Sequence, residues 1–370
     1  MQFIKLILKN LFSRKTRTVL TIVGISIGIA TIVIFGMVTN GLKNSMGTAL
    51  RPGSADFTIA KADATDMILS VLTTEQISTI ESTAGVETVV PYVMAMAEYG
   101  GNPYFIMSGI DPQYASVLGA TIIEGRMYQN ENEIALGRIA AKNYGLAVNG
   151  TMAINGKAYS IVGIFESGVT MQDGGAAITI KEAQRINSMQ EGQVSMAMVK
   201  VKPGLEPRAV ADEIEKADSG LIGIVDVDDF NSIDQGLNIV DSVSWAISAL
   251  AMVIGGVGVM NTIIMSVFER TREIGVLRAV GWKRKRIMMM ILGEAIFIAL
   301  ASTVLGALLG LGMVWLTMQT NMGKSWLDIS LEPTVFLQAL LVALVVVIIG
   351  AVYPSYRASR FSPMEALRYE

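Results

Sequence analysis

The chain has 370 residues, of which 52% are hydrophobic and only 16% charged, with a net charge of −3. Its mean hydropathy of +0.50 is high, and charged residues fall short of the roughly 25% of an average soluble domain. The absence of both cysteine and histidine excludes disulfides, thiolate metal sites, thiol catalysis and histidine general-base chemistry.

The chain opens with a basic segment, 1–17, carrying Lys5, Lys9, Arg14, Lys15 and Arg17. The run Thr18–Leu42 has no charged residue and predicts a first membrane span over 18–42. A cleaved signal peptide is the competing reading. The run is longer than an ordinary signal core and lacks a clear small-x-small site, which favours an uncleaved anchor.

Residues 43–236 differ in character. The 41–236 stretch holds 13 basic and 24 acidic residues, a net formal charge of −11. Short β-prone runs are separated by turn residues at Ala55–Ala60, Gly85–Val93, Tyr104–Ile110, Thr151–Ile154 and Ala158–Phe165. Asn155-Gly156, between two of these runs, predicts a tight hairpin. Thr74–Thr83 and Glu206–Lys216 predict helices, the first capped by Thr73 or Thr74. These elements add up to an α+β domain large enough to bury its own core.

Three more uncharged runs follow, Ser242–Phe268, Ala295–Gly323 and Pro333–Tyr356. They predict spans over 240–268, 287–317 and 333–356, joined by a loop at 269–286 and a short one at 318–332, with a tail at 357–370. Each uncharged run exceeds the roughly 20 residues that cross a hydrocarbon core. Lys and Arg in the short flanks divide fifteen to one. The N-terminal segment, the 269–286 loop and the tail hold fifteen, and the 318–332 loop holds only Lys324. This bias puts both termini and the middle loop in the cytoplasm and residues 43–236 outside. The expected fold is a membrane protein with four transmembrane α-helices and a large α+β extracytoplasmic domain between the first two. The expected location is the cell membrane.

Residues with chemical potential are few. No phosphate-binding glycine loop, H-E-x-x-H or EF-hand spacing is present. Asp226, Asp228 and Asp229 read as a solvated acidic edge rather than a calcium loop. Gly24 with Gly28, and Gly306 with Gly310, have the spacing that lets membrane helices approach closely. Gly255, Gly256 and Gly258 add either close packing or a flexible point. Glu294 is the one acid well inside an apolar stretch, and such a carboxylate is a functional candidate. It follows Arg286 by eight residues, roughly 12 Å of helix rise, so a structural pair with a base near the interface is the favoured reading. In the 269–286 loop, Glu269, Arg270, Arg272 and Glu273 precede Ile274, Val276, Leu277, Ala279 and Val280. This pattern predicts a charged turn and then a short amphipathic helix that can dock in a groove of a cytoplasmic partner.

The segment E-R-T-R-E-I-G-V-L-R-A-V-G-W, Glu269 to Trp282, resembles the signature of MacB/FtsX-type ABC transporter permeases, the type VII or mechanotransmission family. The tail Tyr353–Glu370 is similar to the family's closing segment, with Pro354, Ala358, Pro363, Glu365, Ala366 and Leu367 in matching places. Asn10–Gly28, Gly125–Tyr128, Glu133–Gly137 and Ile161–Phe165 also look typical. The resemblance implies a permease with porter-like and smaller β-rich external parts. It implies a homodimer or pseudo-dimer, here expected as a homodimer, driven by two copies of an ABC ATPase, with ATP and magnesium held by that partner and no cofactor bound by this chain. Because the sequence starts at the first span, the ATPase is expected to be a separate chain. The resemblance makes the 269–286 loop the coupling helix. It carries ATPase contact over to Glu269, Arg270, Arg272, Glu273, Ile274, Gly275, Arg278, Ala279 and Gly281. Peptides, lipoproteins or other amphiphiles are the expected cargo, exported or extracted. Contacts with membrane lipids are expected and none with nucleic acid. An FtsX-type scaffold or receptor, which relays ATPase motion without transport, is the second reading. A membrane enzyme is the third.

Overall fold

The computed structural model describes residues 15–62, 70–226, 229, 235–329 and 331–360. Lys5, Lys9, Arg14, Asp228, Pro363, Glu365, Ala366, Leu367 and Arg368 lie outside the described residues. Two compact units divide the chain: Met1–Val38 with Asp241–Leu316 and Ser330–Glu370, and Thr39–Val240 with Thr317–Ile329.

The first unit is built on four long apolar helices, Lys15–Leu50, Gln235–Glu269, Arg284–Thr317 and Pro333–Ser359. Their apolar parts are long enough to cross a membrane, at Thr18–Leu50, Ser242–Glu269, Arg284–Thr317 and Pro333–Ser359. Lipid offers no hydrophobic drive between helices, so close backbone approach and hydrogen bonds hold them together. A Cβ on Gly306 would lie 2.7 Å from Ile29, and one on Gly310 would lie 2.8 Å from Val33, so only glycine fits against the first helix at these points. Between the two glycine contacts and the cytoplasmic end, the Ser26 hydroxyl donates to the Ser302 carbonyl at 3.1 Å and Ser302 donates to the Ile22 carbonyl at 3.3 Å. Gly28 meets Ala251 of the second helix, whereas Gly24 has no neighbour within 4 Å. Gly350 packs on the Gly256 carbonyl, where a Cβ would come within 2.8 Å. Close packing therefore accounts for Gly28, Gly306, Gly310 and Gly256.

The second unit is one ten-stranded sheet with helices on it. Its strands are β1 (Phe57–Lys61), β2 (Val86–Tyr99), β3 (Asn102–Gly109), β4 (Thr121–Gly125), β5 (Glu133–Gly137), β6 (Thr151–Ile154), β7 (Lys157–Glu166), β8 (Ala176–Ile178), β9 (Met196–Val201) and β10 (Leu221–Ile224). They run in the order β10-β1-β9-β2-β3-β8-β5-β7-β4, with β6 pairing to β7. The β2 strand belongs to two lobes. Val86–Tyr92 pairs with β9, and Val93–Tyr99 pairs with β3. The first lobe is a strand-helix-strand unit used twice, with helix Thr74–Ser82 between β1 and β2 and helix Pro207–Ala217 between β9 and β10. In it β9 lies antiparallel between β1 and β2, the arrangement of a split β-α-β fold. Residues 93–195 are an insertion between its second and third strands and form the second, β-rich lobe.

Local sequence explains several of these elements. Thr73 and Gln76 form a reciprocal capping box at the start of Thr74–Ser82. In Pro207–Ala217, Val210, Ala211 and Ile214 make one buried stripe, and Gly223 leaves room for Ala211. Asn155 and Gly156, with φ of 50° and 76°, close the two-residue hairpin between β6 and β7. The segments Gly125–Tyr128, Glu133–Gly137 and Ile161–Phe165 come together. Parallel β5 and β7 pair side by side, and Arg126 grips Glu133 with two bonds of 2.8 and 2.7 Å. Gly163 must stay small because a Cβ there would touch the Arg126 carbonyl at 2.2 Å.

Two features depart from the expected boundaries. The first helix runs past Leu42 to Leu50, and Leu42, Met46 and Leu50 join the core cluster of Tyr92, Leu118 and Tyr128. It stops at Pro52-Gly53, where φ of +63° and the Gly119 nitrogen exclude a side chain. The 318–332 loop contains a helix, Asn321–Trp326, capped by Thr320. It packs on the second lobe. The Trp326 indole donates to the Tyr104 carbonyl at 3.1 Å, the Asp328 amide donates to the Ser45 hydroxyl at 2.8 Å, and Ser325 covers Gly174.

Two acidic sites have structural roles. Glu182 is buried and receives hydrogen bonds from Lys157, Arg185 and Tyr159. Burial alone would raise its pKa, but these donors outweigh it and hold the carboxyl down to about 2. Asp226 pairs with Arg51 at 2.7 Å, and Asp229 pairs with Arg208 and accepts from the Val225 and Asp226 amides. These carboxylates are committed to bases and to a turn. No cluster of three acids suited to a metal occurs among the described residues.

Candidate functional site

The loop after the second spanning helix folds as a separate short helix, Thr271–Ala279. The turn that breaks the chain between them is Arg270, whose backbone leaves the helical region at φ −116° and ψ 18°. Thr271 steadies the turn by donating to the Phe268 carbonyl at 2.8 Å. The Arg270 side chain is 11% exposed and bridges two acids. Its Nε lies 3.0 Å from Glu273, in the first turn of the short helix, and its Nη1 lies 2.8 Å from Glu294 of the third spanning helix. Glu273 at that position also favours the positive end of the helix dipole.

The far end closes with a Schellman motif. Gly281, at φ +96°, donates to the Arg278 carbonyl at 3.1 Å, and the Trp282 amide reaches back to the Leu277 carbonyl at 3.0 Å. The Arg278 Nη1 donates to the Trp282 carbonyl at 2.9 Å, and the Arg286 guanidinium sits 4.4 Å from the Trp282 ring centre. Both ends of the helix are therefore fixed by side chains of its own flanks.

The helix has two faces. Thr271, Ile274 and Gly275 are buried, at the spacing of three and four that marks one side. Arg272, Glu273, Val276, Ala279 and Val280 are exposed. Val276 is 46% and Val280 76% exposed, high values for β-branched apolar residues. Among the residues expected to meet a partner, Ile274 and Gly275 thus seat the helix, and Gly281 shapes its end. Arg270 holds it to the third spanning helix and Arg278 lies at its rim, while Glu269 is the exposed last residue of the second spanning helix. Glu294 serves the helix from the far side of the Arg270 bridge. Val276 and Val280 belong to the predicted amphipathic pattern but not to the residues expected to contact the ATPase; they follow Arg272 at successive spacings of four, which puts all three on one stripe.

Residues 18–217 match the MacB-like periplasmic core domain family, and residues 245–363 match the FtsX-like permease C-terminal family. The ABC transporter permease MJ1507 of Methanocaldococcus jannaschii is 26% identical over 98% of this chain and 96% of its own length. The ABC transporter permease YvrN of Bacillus subtilis is 25% identical over 100% of both chains. The macrolide export ATP-binding/permease protein MacB of Bdellovibrio bacteriovorus is 23% identical over 98% of this chain, which spans 61% of that relative. With four spanning helices, an extracytoplasmic domain after the first and a matching core family over more than half its length, the chain belongs to the MacB/FtsX family of ABC transporter permeases.

Proposed function

We propose that this permease is the non-catalytic membrane half of a mechanotransmission transporter, and that Thr271–Ala279 is where a separate ABC ATPase grips it. The observation that carries this reading is the exposed stripe of Arg272, Val276 and Val280 on a helix tethered at both ends. Apolar residues flanked by charges suit a groove in a soluble partner. The permease relatives matched over nearly their whole length support a partner in a separate chain.

In this mechanism two ATPase subunits close on ATP and carry the short helices of two permease copies with them. Arg270 and Glu294 pass the motion to the third spanning helix. The first and second spanning helices pass it to the extracytoplasmic domain. ATP and magnesium stay on the partner, and ATP supplies the differential affinity that any population shift needs. The cargo class is peptides or other amphiphiles, released or extracted at the extracytoplasmic domain.

The test is purification from native membranes in mild detergent, comparing the parent chain with Arg272→Glu/Val276→Glu. A P-loop ATPase that copurifies with the parent and is lost from the variant supports the reading. Absence of any ATPase under all conditions overturns it. An ATPase complex that turns over ATP and moves its external domains, yet transports no peptide in vesicles, supports the scaffold reading instead.

A further inference from the structure

At their cytoplasmic ends the second and fourth spanning helices leave a shallow, half-open groove with about 20 Å³ of enclosed space. Its walls are Ile264, Val267 and Phe268 on one helix and Tyr353 and Pro354 on the other, with Arg357 at its mouth. Gly350 and Gly256 bring the same two helices into contact farther in, which closes the inner end. The wall is almost wholly apolar, as suits a surface facing acyl chains.

Its depth matches the boundary between hydrocarbon and headgroups. Arg357 follows Pro333 by 24 residues, about 36 Å of helix rise, so it stands just beyond a hydrocarbon core of about 30 Å. Tyr353 and Ile264 lie one turn inward of Arg357 and Phe268, about 6 Å deeper. Arg357 is exposed and makes no ion pair among the described residues. The neighbouring Arg360 is held over the Tyr356 ring at 4.5 Å, which adds positive charge at the same level.

We infer that this groove is a binding site for one anionic phospholipid of the cytoplasmic leaflet. The first methylenes lie between Val267 and Tyr353, and the phosphate meets Arg357. The charge of the mouth and the apolar wall below it select a lipid over a soluble phosphate. Basic pockets between membrane helices on this side hold anionic headgroups by the same combination.

The test is native mass spectrometry of the full chain in detergent, titrated with phosphatidylglycerol or phosphatidylcholine of identical acyl chains. The parent chain should keep one phosphatidylglycerol per copy and bind it about tenfold more tightly than phosphatidylcholine. Arg357→Gln should weaken the anionic lipid about fivefold or more, and Val267→Trp, which fills the groove, should weaken both lipids. Arg284→Gln, at the exposed start of the third spanning helix, should change neither. Arg357 is on the surface, so its variant keeps the fold, and a single symmetric elution peak checks this for each protein. Equal binding of the two lipids, unchanged binding by Arg357→Gln, or an equal loss in Arg284→Gln would overturn the site. So would a Tyr353→Cys variant that crosslinks to a second copy while lipid retention stays intact.

Discussion

Replacing Arg270 by alanine takes the guanidinium away from Glu294, which stays buried at 6% exposure. Breaking a buried pair from one side costs about 3–5 kcal/mol, because the remaining charge has lost its closest compensation. For a unit of some 150 residues this corresponds to a fall in Tm of about 6–20 °C. The assay is thermal unfolding in detergent, with Arg270→Ala, Glu294→Ala and Arg270→Met/Glu294→Leu in parallel. The apolar double variant should recover most of the loss, since matched hydrophobic residues often replace a buried pair at little cost. The double variant should still bind an ATPase through the unchanged exposed face, but relay ATP-driven motion less well, since its short helix has lost the bridge to the third spanning helix. Losses that simply add, with no recovery in the double variant, would refute the bridge between the short helix and the third spanning helix.

Other outcomes follow from the packing and the charges. Gly306→Leu forces a side chain into Ile29 and should cost about 1–3 kcal/mol, while Gly24→Leu, with open space around it, should leave Tm nearly unchanged. Glu182 has a pKa lowered from 4.5 to about 2, so its contribution is complete above pH 4.5 and is lost as pH falls toward 2. Glu182→Gln should therefore lower stability at pH 7 and flatten the acid dependence in that window, read by thermal unfolding across pH 2–6. Trp326→Ala removes the indole bond and ring contact with Tyr104, and should raise hydrogen exchange in Asn321–Trp326 without altering the spanning helices.

What the sequence revealed depended on whether the signal was local. Uncharged runs marked all four spans because each span must satisfy the bilayer by itself. The Asn155-Gly156 hairpin and the Thr73 cap were visible for the same reason, being made by neighbours in the chain. The continuation of the first helix to Leu50 was hidden, because Asn40, Lys43 and Asn44 look like a helix leaving the membrane. Their apolar neighbours Leu42, Met46 and Leu50 find partners only in the folded domain. The β8 and β9 strands escaped notice because one has three residues and the other is buried along nearly its whole length, so neither alternates. Helix Asn321–Trp326 takes its place from Tyr104 and Gly174, residues distant in sequence. At the candidate site the charged residues and glycines stood out, but not their division between two faces. That division rests on Ile274 and Thr271 turning inward and on Arg270 reaching Glu294, 24 residues away.

The most direct test of the central claim uses the absence of native cysteine. A single Val280→Cys substitution carries a short bifunctional crosslinker on the exposed face of the short helix, and the protein is treated in native membranes. The account predicts one crosslinked product containing a P-loop ATPase, absent when the cysteine is placed at Ile123 on the extracytoplasmic domain. Crosslinking at Val280 only to lipid, or to proteins without an ATPase, while the chain is folded and in the membrane, would contradict the account.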